Sequence, residues 1–203
     1  LQAYLASITF ADAQIGRLLA AWEASPYAEN GMVIIVGDHG WHLGEKEHWS
    51  KRTLWDAGTR TPLLIHAPGH SKPGDRCETP VSLLDLYPTL IDLCGLPPVA
   101  GLDGQSLRPL LEEVEASWTR PAMTIYGQGN VALKTHRWHY IRYVDGSEEL
   151  YDIASDPQEH HNLVSDAGQA ERLAQFRAQV PECRPFTPRN PRRQSWFEEV
   201  GLK

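Results

Sequence analysis

A five-residue apolar run followed at once by polar residues constrains the fold of this chain more than any other stretch. Residues 32–36 read Met-Val-Ile-Ile-Val, and the next four residues are Gly-Asp-His-Gly. A short apolar run rich in β-branched residues predicts a buried strand of a parallel sheet. A second apolar run, at residues 62–66, predicts another strand. Because open α/β sheets bind their ligands outside the carboxyl ends of the strands, Asp38 and His39 stand where such a fold places its chemistry.

The loop between these two predicted strands is dense in ionisable side chains. Taken alone it has three interpretations, and the first is an ordinary solvated loop. The second is a zinc site with nitrogen ligands from His39, His42 and His48. Histidines three residues apart in a loop lack the helical register of an H-E-x-x-H site, which weighs against zinc. The third is a hard-cation site at Asp38 and His39, with Lys51 contacting an anionic substrate, and the longer string of residues around it favours this one.

Local patterns predict two helices in the first half of the chain. Apolar residues recur at three- and four-residue steps over residues 5–22, which indicates an amphipathic helix that packs on the sheet. Ser82 followed by Asp85 three positions later resembles a capping box. It predicts a helix from Leu83 to about Leu93, and Gly95 is expected to end that helix.

The texture of the sequence changes near residue 121, where short alternating runs separated by turn residues begin. Four such runs predict an antiparallel meander, at residues 123–126, 130–134, 138–143 and 149–152. A helix over residues 168–180, with Leu173 and Phe176 on one face, is expected to cover it. We therefore predict three parts: an α/β domain at 1–115, a small antiparallel β subdomain with a packing helix at 116–180, and an extended Pro- and Arg-rich tail at 181–203.

Composition argues against two classes of function. The chain has 19 basic and 26 acidic residues and a formal net charge of −7, which argues against nucleic acid as the main partner. No apolar run approaches the ~20 residues of a membrane span, so no such span is expected. The chain contains three cysteines at irregular spacing, which indicate neither a disulfide framework nor a metal knuckle.

The string at residues 37–45, continued at 49–56, resembles the later catalytic segment of the sulfatase family in the alkaline-phosphatase-like superfamily. It is most similar to the iduronate-2-sulfatase-like branch. Supporting matches follow in the family's order, at residues 12–19, 60–65, 82–90, 103–107 and 149–159. The resemblance implies the C-terminal part of a sulfatase α/β sheet domain, followed by a small antiparallel four-stranded subdomain with a helix.

The resemblance assigns a metal role to two residues. Asp38 and His39 are implied as ligands of Ca²⁺ or Mg²⁺, completed by ligands outside this chain. Their side chains should then converge within about 5 Å, because metal–oxygen bonds span only ~2.0–2.6 Å. Most sulfatases carry Asn at the position of His39, whereas the iduronate-type branch uses His.

Other residues of the loop are implied in substrate contact and catalysis. Lys51 aligns with the lysine that contacts the substrate sulfate, and His48 is a candidate general acid. His42 and Trp41 are candidates for substrate binding, with solvent exposure the alternative for His42 and a loop anchor the alternative for Trp41. Lys46 is expected to be dispensable, so that its replacement by Ala is nearly silent.

Two parts of the family's site do not occur in these 203 residues. They are the Cys/Ser-x-Pro-Ser/Ala-Arg motif, whose first residue becomes the formylglycine nucleophile, and a pair of consecutive metal-binding Asp residues. The nearest look-alike starts at Cys183 but has Thr187 where Arg belongs. We therefore expect the C-terminal portion of a longer sulfatase, inactive alone, with the N-terminal half as its partner and a sulfated small molecule or glycan as substrate. Export to the periplasm, the cell exterior or the lysosome is expected from the family only.

Two other functions stay open at this point. A phosphate or phosphonate monoester hydrolase of the same superfamily would share the fold and the Asp–His pair. A non-catalytic sulfatase-like binding domain would also fit, because the nucleophile motif does not occur in the chain.

Overall fold

The structure is a computed structural model and describes residues 1–182. Its helices are α1 (Gln2–Glu23), α2 (Asp56–Thr59), α3 (Leu86–Leu93), α4 (Arg108–Glu112) and α5 (Ala170–Gln179). Its strands are β1 (Val33–Val36), β2 (His42–Leu43), β3 (Trp49–Ser50), β4 (Leu63–His66), β5 (Ala122–Tyr126), β6 (Asn130–Lys134), β7 (Trp138–Arg142) and β8 (Glu148–Asp152). None of the helices in this part of the chain is both long and apolar enough to cross a membrane.

The strand that precedes the Asp-His pair is confirmed, but its predicted pairing is wrong. β1 pairs with β4 in the antiparallel direction, with Val33 opposite His66 and Val36 opposite Leu63. Its residues are half-buried to exposed and not fully enclosed. The apolar run encodes a strand, but the direction of its partner depends on the path of residues 37–62, and that path returns the chain beside β1.

Helix α1 forms as the apolar periodicity indicates, yet its packing on the sheet is slight. None of its residues is buried, and Leu18 is 71% exposed. Its contact with the strand pair is made near the C-terminal end, where the Trp22 ring meets the His66 ring edge-on with centroids 5.5 Å apart. The predicted packing face is therefore largely open among the described residues.

The capping box that the sequence indicates is present. The Ser82 backbone N–H donates to Asp85 Oδ2 at 2.8 Å, and the Leu84 N–H donates to Ser82 Oγ at 3.4 Å. These bonds satisfy backbone donors of the first turn, which have no partner inside a helix. A 3₁₀ turn over Leu83–Asp85 leads into α3, which ends at Leu93. Gly95 follows with φ +61°, the left-handed conformation typical of a helix end.

The predicted meander is confirmed as a four-stranded antiparallel sheet in the order β5-β6-β7-β8. Helix α5 covers one face, where Leu173 and Phe176 join a buried cluster with side chains of β6, β7 and β8. The Phe176 ring stacks on the Tyr140 ring at a centroid distance of 5.4 Å. Burying such side chains contributes about 1.5–3 kcal/mol each, so these two residues account for most of the docking of a polar helix.

The opposite face of the sheet packs on the segment that follows the candidate site. Leu54 is 2% exposed and clusters with Ala132, Ile141 and Tyr151 of the sheet. The sheet therefore supports the loop between β1 and β4 from behind.

The predicted boundary at residue 115 falls between α4 and β5 and stays a prediction. The predicted tail at 181–203 lies almost wholly outside the described residues, and so does the look-alike motif at Cys183.

Candidate functional site

The residues directly after β1 open onto a cleft of about 2260 Å³. Four of the side chains singled out from the sequence line this cleft, namely Asp38, His39, Trp41 and Lys51. His42 and His48 are not among its lining residues. The structure thus brings the first four together and separates the other two.

Asp38 and His39 converge on one point. Asp38 Oδ2 lies 3.3 Å from His39 Nε2, and the Asp38 side chain is 88% exposed. His39 Nδ1 lies 2.8 Å from the carbonyl oxygen of Gly40. Since a carbonyl only accepts, Nδ1 carries the proton in this arrangement and Nε2 keeps its lone pair. This is how a metal-binding histidine is usually held by a backbone carbonyl behind it.

Lys51 completes the group from the far side of the loop. Its Nζ lies 2.8 Å from His39 Nε2, a distance at which the ammonium donates to the imidazole lone pair. The carboxylate of Asp38 and the lone pair of His39 face each other across 3.3 Å. Two electron-rich atoms this close attract a cation between or beside them. In this structure the Lys51 ammonium satisfies the His39 nitrogen.

The donors present fit part of a hard-cation site and no more. A carboxylate oxygen is a preferred ligand of Ca²⁺ and Mg²⁺, which need six or more ligands. Within residues 1–182, no group of three or more His, Cys, Asp or Glu side chains is placed to hold a metal ion. Asp38 and His39 can therefore supply two ligands, and their role as metal ligands stays a prediction.

Trp41 forms an aromatic wall beside the pair. Its ring stacks near the His39 ring, with centroids 6.3 Å apart and planes at 27°. It also stacks near the Tyr4 ring of α1, with centroids 6.0 Å apart. Trp41 remains 38% exposed. Such contacts fit a loop anchor, and the exposed part of the ring leaves room for a substrate contact.

The zinc interpretation fails on geometry. His42 is fully buried, and its Nε2 bonds Thr53 Oγ1 at 2.7 Å, while its Nδ1 lies 3.3 Å from the Glu45 carbonyl oxygen. Both nitrogens are thus engaged within the loop. The expected substrate contact of His42 therefore has no support from this buried position. Sequence spacing does not reveal the neighbours among which His42 packs.

His48 supports the loop instead of facing the cleft. Its ring meets the His42 ring edge-on at 5.0 Å, and its Nε2 lies 3.3 Å from the Lys51 carbonyl oxygen. An imidazole in this place holds the backbone of Lys51. The role of His48 as a general acid stays a prediction.

Gly40 lets two backbone segments approach closely behind the pair. Its N–H donates to the Gly58 carbonyl oxygen at 3.0 Å. A Cβ built on Gly40 would lie 2.2 Å from the carbonyl oxygen of Ala57 and 2.6 Å from that of Arg60. Only a residue without a side chain fits there, so Gly40 fixes His39 against the segment around α2.

Sequence reasoning missed the contacts of Lys46, whose replacement by Ala it expected to be nearly silent. The structure places the half-buried Lys46 ammonium against the four-stranded sheet, 3.1 Å from Tyr151 Oη. Tyr151 lies 105 positions away along the chain, so no local pattern could have revealed this contact. These contacts argue against the prediction that Lys46→Ala is nearly silent, which no observation tests.

Comparison with known proteins agrees with this geometry. The family model described as Sulfatase matches residues 1–96, a range that contains every cleft residue singled out above. A relative named Sulfatase from Formosa agariphila is 38% identical over 182 residues. The match covers 90% of this chain and 36% of that protein, so the chain spans about a third of the length of its curated relative.

Two solved structures are similar over most of the chain. One protein, in complex with its substrate D-glucosamine-2-N,6-O-disulfate, superposes with a TM-score of 0.75 at 28% identity, over 86% of this chain and 38% of that one. The phosphonate monoester hydrolase of Agrobacterium radiobacter has a TM-score of 0.71 at 29% identity, over 83% of this chain and 39% of that one. The α/β part with its small antiparallel sheet is thus the C-terminal portion of the alkaline-phosphatase-like sulfatase fold. The iduronate-2-sulfatase-like branch stays a prediction. On the family match, its relatives and this shared fold, the chain belongs to the sulfatase family.

Proposed function

We propose that this chain forms part of a sulfuric ester hydrolase that removes sulfate from a sulfated sugar. One observation carries the proposal: Asp38, His39 and Lys51 meet after β1, with Lys51 Nζ 2.8 Å from His39 Nε2. This cluster combines two potential metal ligands with one positively charged side chain. A bound metal ion and the Lys51 ammonium would together neutralise the negative charge of a sulfate ester. The similar structure with a disulfated glucosamine substrate supports a sulfated sugar as the substrate class.

Asp38 and His39 would hold the metal ion, for which Ca²⁺ or Mg²⁺ is the proposed identity. When bound, such a cation neutralises negative charge on the sulfate oxygens. The Asp38 carboxylate supplies the charged ligand. The His39 Nε2 lone pair supplies the second ligand, and its orientation is fixed because Nδ1 donates to the Gly40 carbonyl oxygen at 2.8 Å. We propose that the other ligands and the formylglycine nucleophile come from residues outside this chain.

Lys51 would contact the sulfate itself. Its compact ammonium can approach a tetrahedral anion from several directions, without the planar match that Arg requires. As the ester S–O bond breaks, its electron pair moves onto the leaving oxygen, and a positioned cation beside the sulfate group stabilises this developing charge more than it stabilises the bound ester. A bound sulfate would draw the Lys51 ammonium from the His39 nitrogen and so free that nitrogen for the metal.

A phosphonate or phosphate monoester hydrolase is the second candidate. It is favoured by the similarity to the Agrobacterium enzyme, at 29% identity and a TM-score of 0.71. Phosphonate and sulfate monoesters both present tetrahedral anions, so the same three side chains would serve either.

The test uses the full-length protein that contains this chain. We would measure kcat/KM on matched aryl sulfate, aryl phosphate and aryl phosphonate esters, and we expect the sulfate to be hydrolysed fastest. Preference for the phosphonate would favour the second candidate. Lack of turnover on all three, in a full-length protein without the nucleophile motif, would favour a non-catalytic binding domain.

A matched pair of variants tests the role of Lys51. Lys51→Ala should lower kcat on the aryl sulfate by about 10²–10³-fold, the usual cost of losing one transition-state donor. Lys51→Arg should restore little of it, because the larger guanidinium does not fit beside a metal-bound sulfate. Arg17→Ala removes one positive charge from an exposed position of α1 that does not line the cleft and should leave kcat unchanged. Equal small effects at Lys51 and Arg17 would show that the positive charges act only through the overall electrostatic field.

A further inference from the structure

The loop that carries Lys51 has an unusual backbone. Four of its non-glycine residues have a positive φ: Lys46 at 53°, Glu47 at 56°, Ser50 at 79° and Arg52 at 75°. Residues with a Cβ avoid this region because the side chain crowds the backbone. Such conformations persist only where the surroundings determine them, and they cluster at functional sites. Lys51 lies between two of the four, so something must hold this loop in place.

The Lys46 side chain reaches from this loop to the four-stranded sheet and the turn after β8. Its ammonium donates to Tyr151 Oη at 3.1 Å and to the carbonyl oxygen of Glu159. It also lies 4.8 Å from the centroid of the Trp55 ring and 4.6 Å from that of the Tyr151 ring. Two aromatic faces and two oxygens thus surround one cation, an arrangement that stabilises a desolvated ammonium.

The cage around Lys46 is itself held by two acidic residues. Glu149 Oε2 accepts hydrogen bonds from Trp55 Nε1 at 2.7 Å and from Tyr151 Oη at 2.8 Å. Burial raises the pKa of the Tyr151 hydroxyl, so it stays protonated and donates to Glu149 while accepting from Lys46.

Glu159 links the cage to the neighbouring elements. Its side chain is 3% exposed and pairs with His139 of β7. Its Oε2 accepts from the Asp56 N–H at the start of α2, at 2.9 Å. The cage is therefore tied through these contacts to β7 of the sheet and to the start of α2.

Lys46 does not line the cleft that contains Asp38, His39 and Lys51. Its ammonium is engaged by Tyr151 and Glu159 instead, so we expect Lys46 to affect the reaction through the loop.

We infer that Lys46 is a positioning residue, which ties the loop of residues 44–52 to β8 and the turn after it and thereby sets the position of Lys51 in the cleft. The inference rests on the proposed function, because it assigns the loop's geometry to the reaction of Lys51. Without the tether the four strained residues relax toward ordinary backbone angles, and the Lys51 ammonium leaves its place.

The test compares Lys46→Met with Lys51→Ala in the full-length enzyme. Met keeps the apolar stem of the side chain between the two rings and removes the ammonium. We expect Lys46→Met to lower kcat by about 10²-fold, the effect of a 1 Å misplacement of a reacting group. The KM for the aryl sulfate should change by less than about twofold, since the loss falls on the transition state. The double variant should be no slower than Lys51→Ala alone, because Lys46 acts through Lys51.

A control and a second measurement separate positioning from stability. Arg177 of α5 forms an ion pair with Glu148 of β8, the strand that also carries Tyr151. Arg177→Met removes this ion pair and should leave kcat unchanged. Amide hydrogen exchange in Lys46→Met should quicken over residues 44–52 and stay unchanged over β5–β8.

Four outcomes would overturn the inference. They are wild-type kcat in Lys46→Met, a further loss of kcat when Lys46→Met is added to Lys51→Ala, unchanged exchange in the loop, and an equal loss of kcat in Arg177→Met. If Lys51→Ala keeps wild-type kcat, it is the proposed role of Lys51 that fails. The exchange measurement then still reports whether Lys46 ties down the loop.

Discussion

Replacing Gly40 by Ala should disable the site by moving His39. The added Cβ would lie 2.2 Å from the Ala57 carbonyl oxygen, whereas real Cβ contacts essentially never fall under 3.0 Å. The two backbone segments must therefore separate by at least about 0.8 Å, the difference between these distances. The two obstructing atoms, the carbonyl oxygens of Ala57 and Arg60, belong to the backbone. No side-chain rotation can therefore relieve the contact.

This displacement has a predictable size of effect. The Gly40 carbonyl oxygen holds His39 Nδ1 at 2.8 Å, so a shift of Gly40 turns the imidazole away from Asp38 and Lys51. A misplacement near 1 Å costs about 10²-fold in rate. Overpacking a closely fitted position costs typically 1–3 kcal/mol of stability. We expect both losses together in the full-length Gly40→Ala enzyme.

The assay is kcat on an aryl sulfate, together with the urea midpoint of unfolding. Gly16→Ala is the control, because a Cβ built on Gly16 in α1 has no neighbour within 4 Å among residues 1–182. It should leave kcat unchanged and raise stability by roughly 0.5–1 kcal/mol, as expected for Gly to Ala inside a helix. Wild-type kcat and stability in Gly40→Ala would refute the reasoning, since residues 38–40 would then not be clamped against residues 57–60.

Three further outcomes are expected. Phe176→Ala should destabilise the protein by about 3–5 kcal/mol in urea unfolding, whereas Phe176→Leu should cost less than about 1.5 kcal/mol; equal costs would show that α5 is not held by its ring. Arg177, with Tyr140, lowers the pKa of the Glu148 carboxyl below 4.5, so the stability from this ionised group is present above pH 4.5 and is lost as the pH falls through the lowered pKa; Glu148→Gln should flatten that acid limb, and an unchanged limb would contradict the pairing. The 203-residue chain alone should not hydrolyse aryl sulfates, because catalytic residues act as a unit; measurable turnover would show that the nucleophile lies within it.

Local chemistry made much of the fold predictable. The Ser82–Asp85 capping box works within four residues, and the meander follows from alternation and turn residues between adjacent strands. The pairing direction of β1 was wrong because it depends on the path of a long loop. Burial of His42 was also beyond reach, since it depends on a bond to Thr53, eleven positions away.

The candidate site divides in the same way. Asp38 and His39 are adjacent in sequence, and the resemblance to the sulfatase family implied that Lys51 belongs to the same site. Lys46 lies in the same loop as Lys51, but its partners Tyr151 and Glu159 are 105 and 113 positions distant. A lysine's surroundings decide whether it is solvated or enclosed, and those surroundings come from another part of the fold.

The order β5-β6-β7-β8 has a consequence for how the chain folds. Each strand pairs with its neighbour in sequence, across connections at residues 127–129, 135–137 and 143–147. Contacts between near positions form fastest, because closing a short loop costs little entropy. The pairing of β1 with β4 must instead wait for residues 37–62 to be arranged. The small sheet should therefore fold early and serve as the template on which the Lys46 loop is later seated. The slow phases of refolding should then be observed for residues of the cleft and not for residues of the four-stranded sheet.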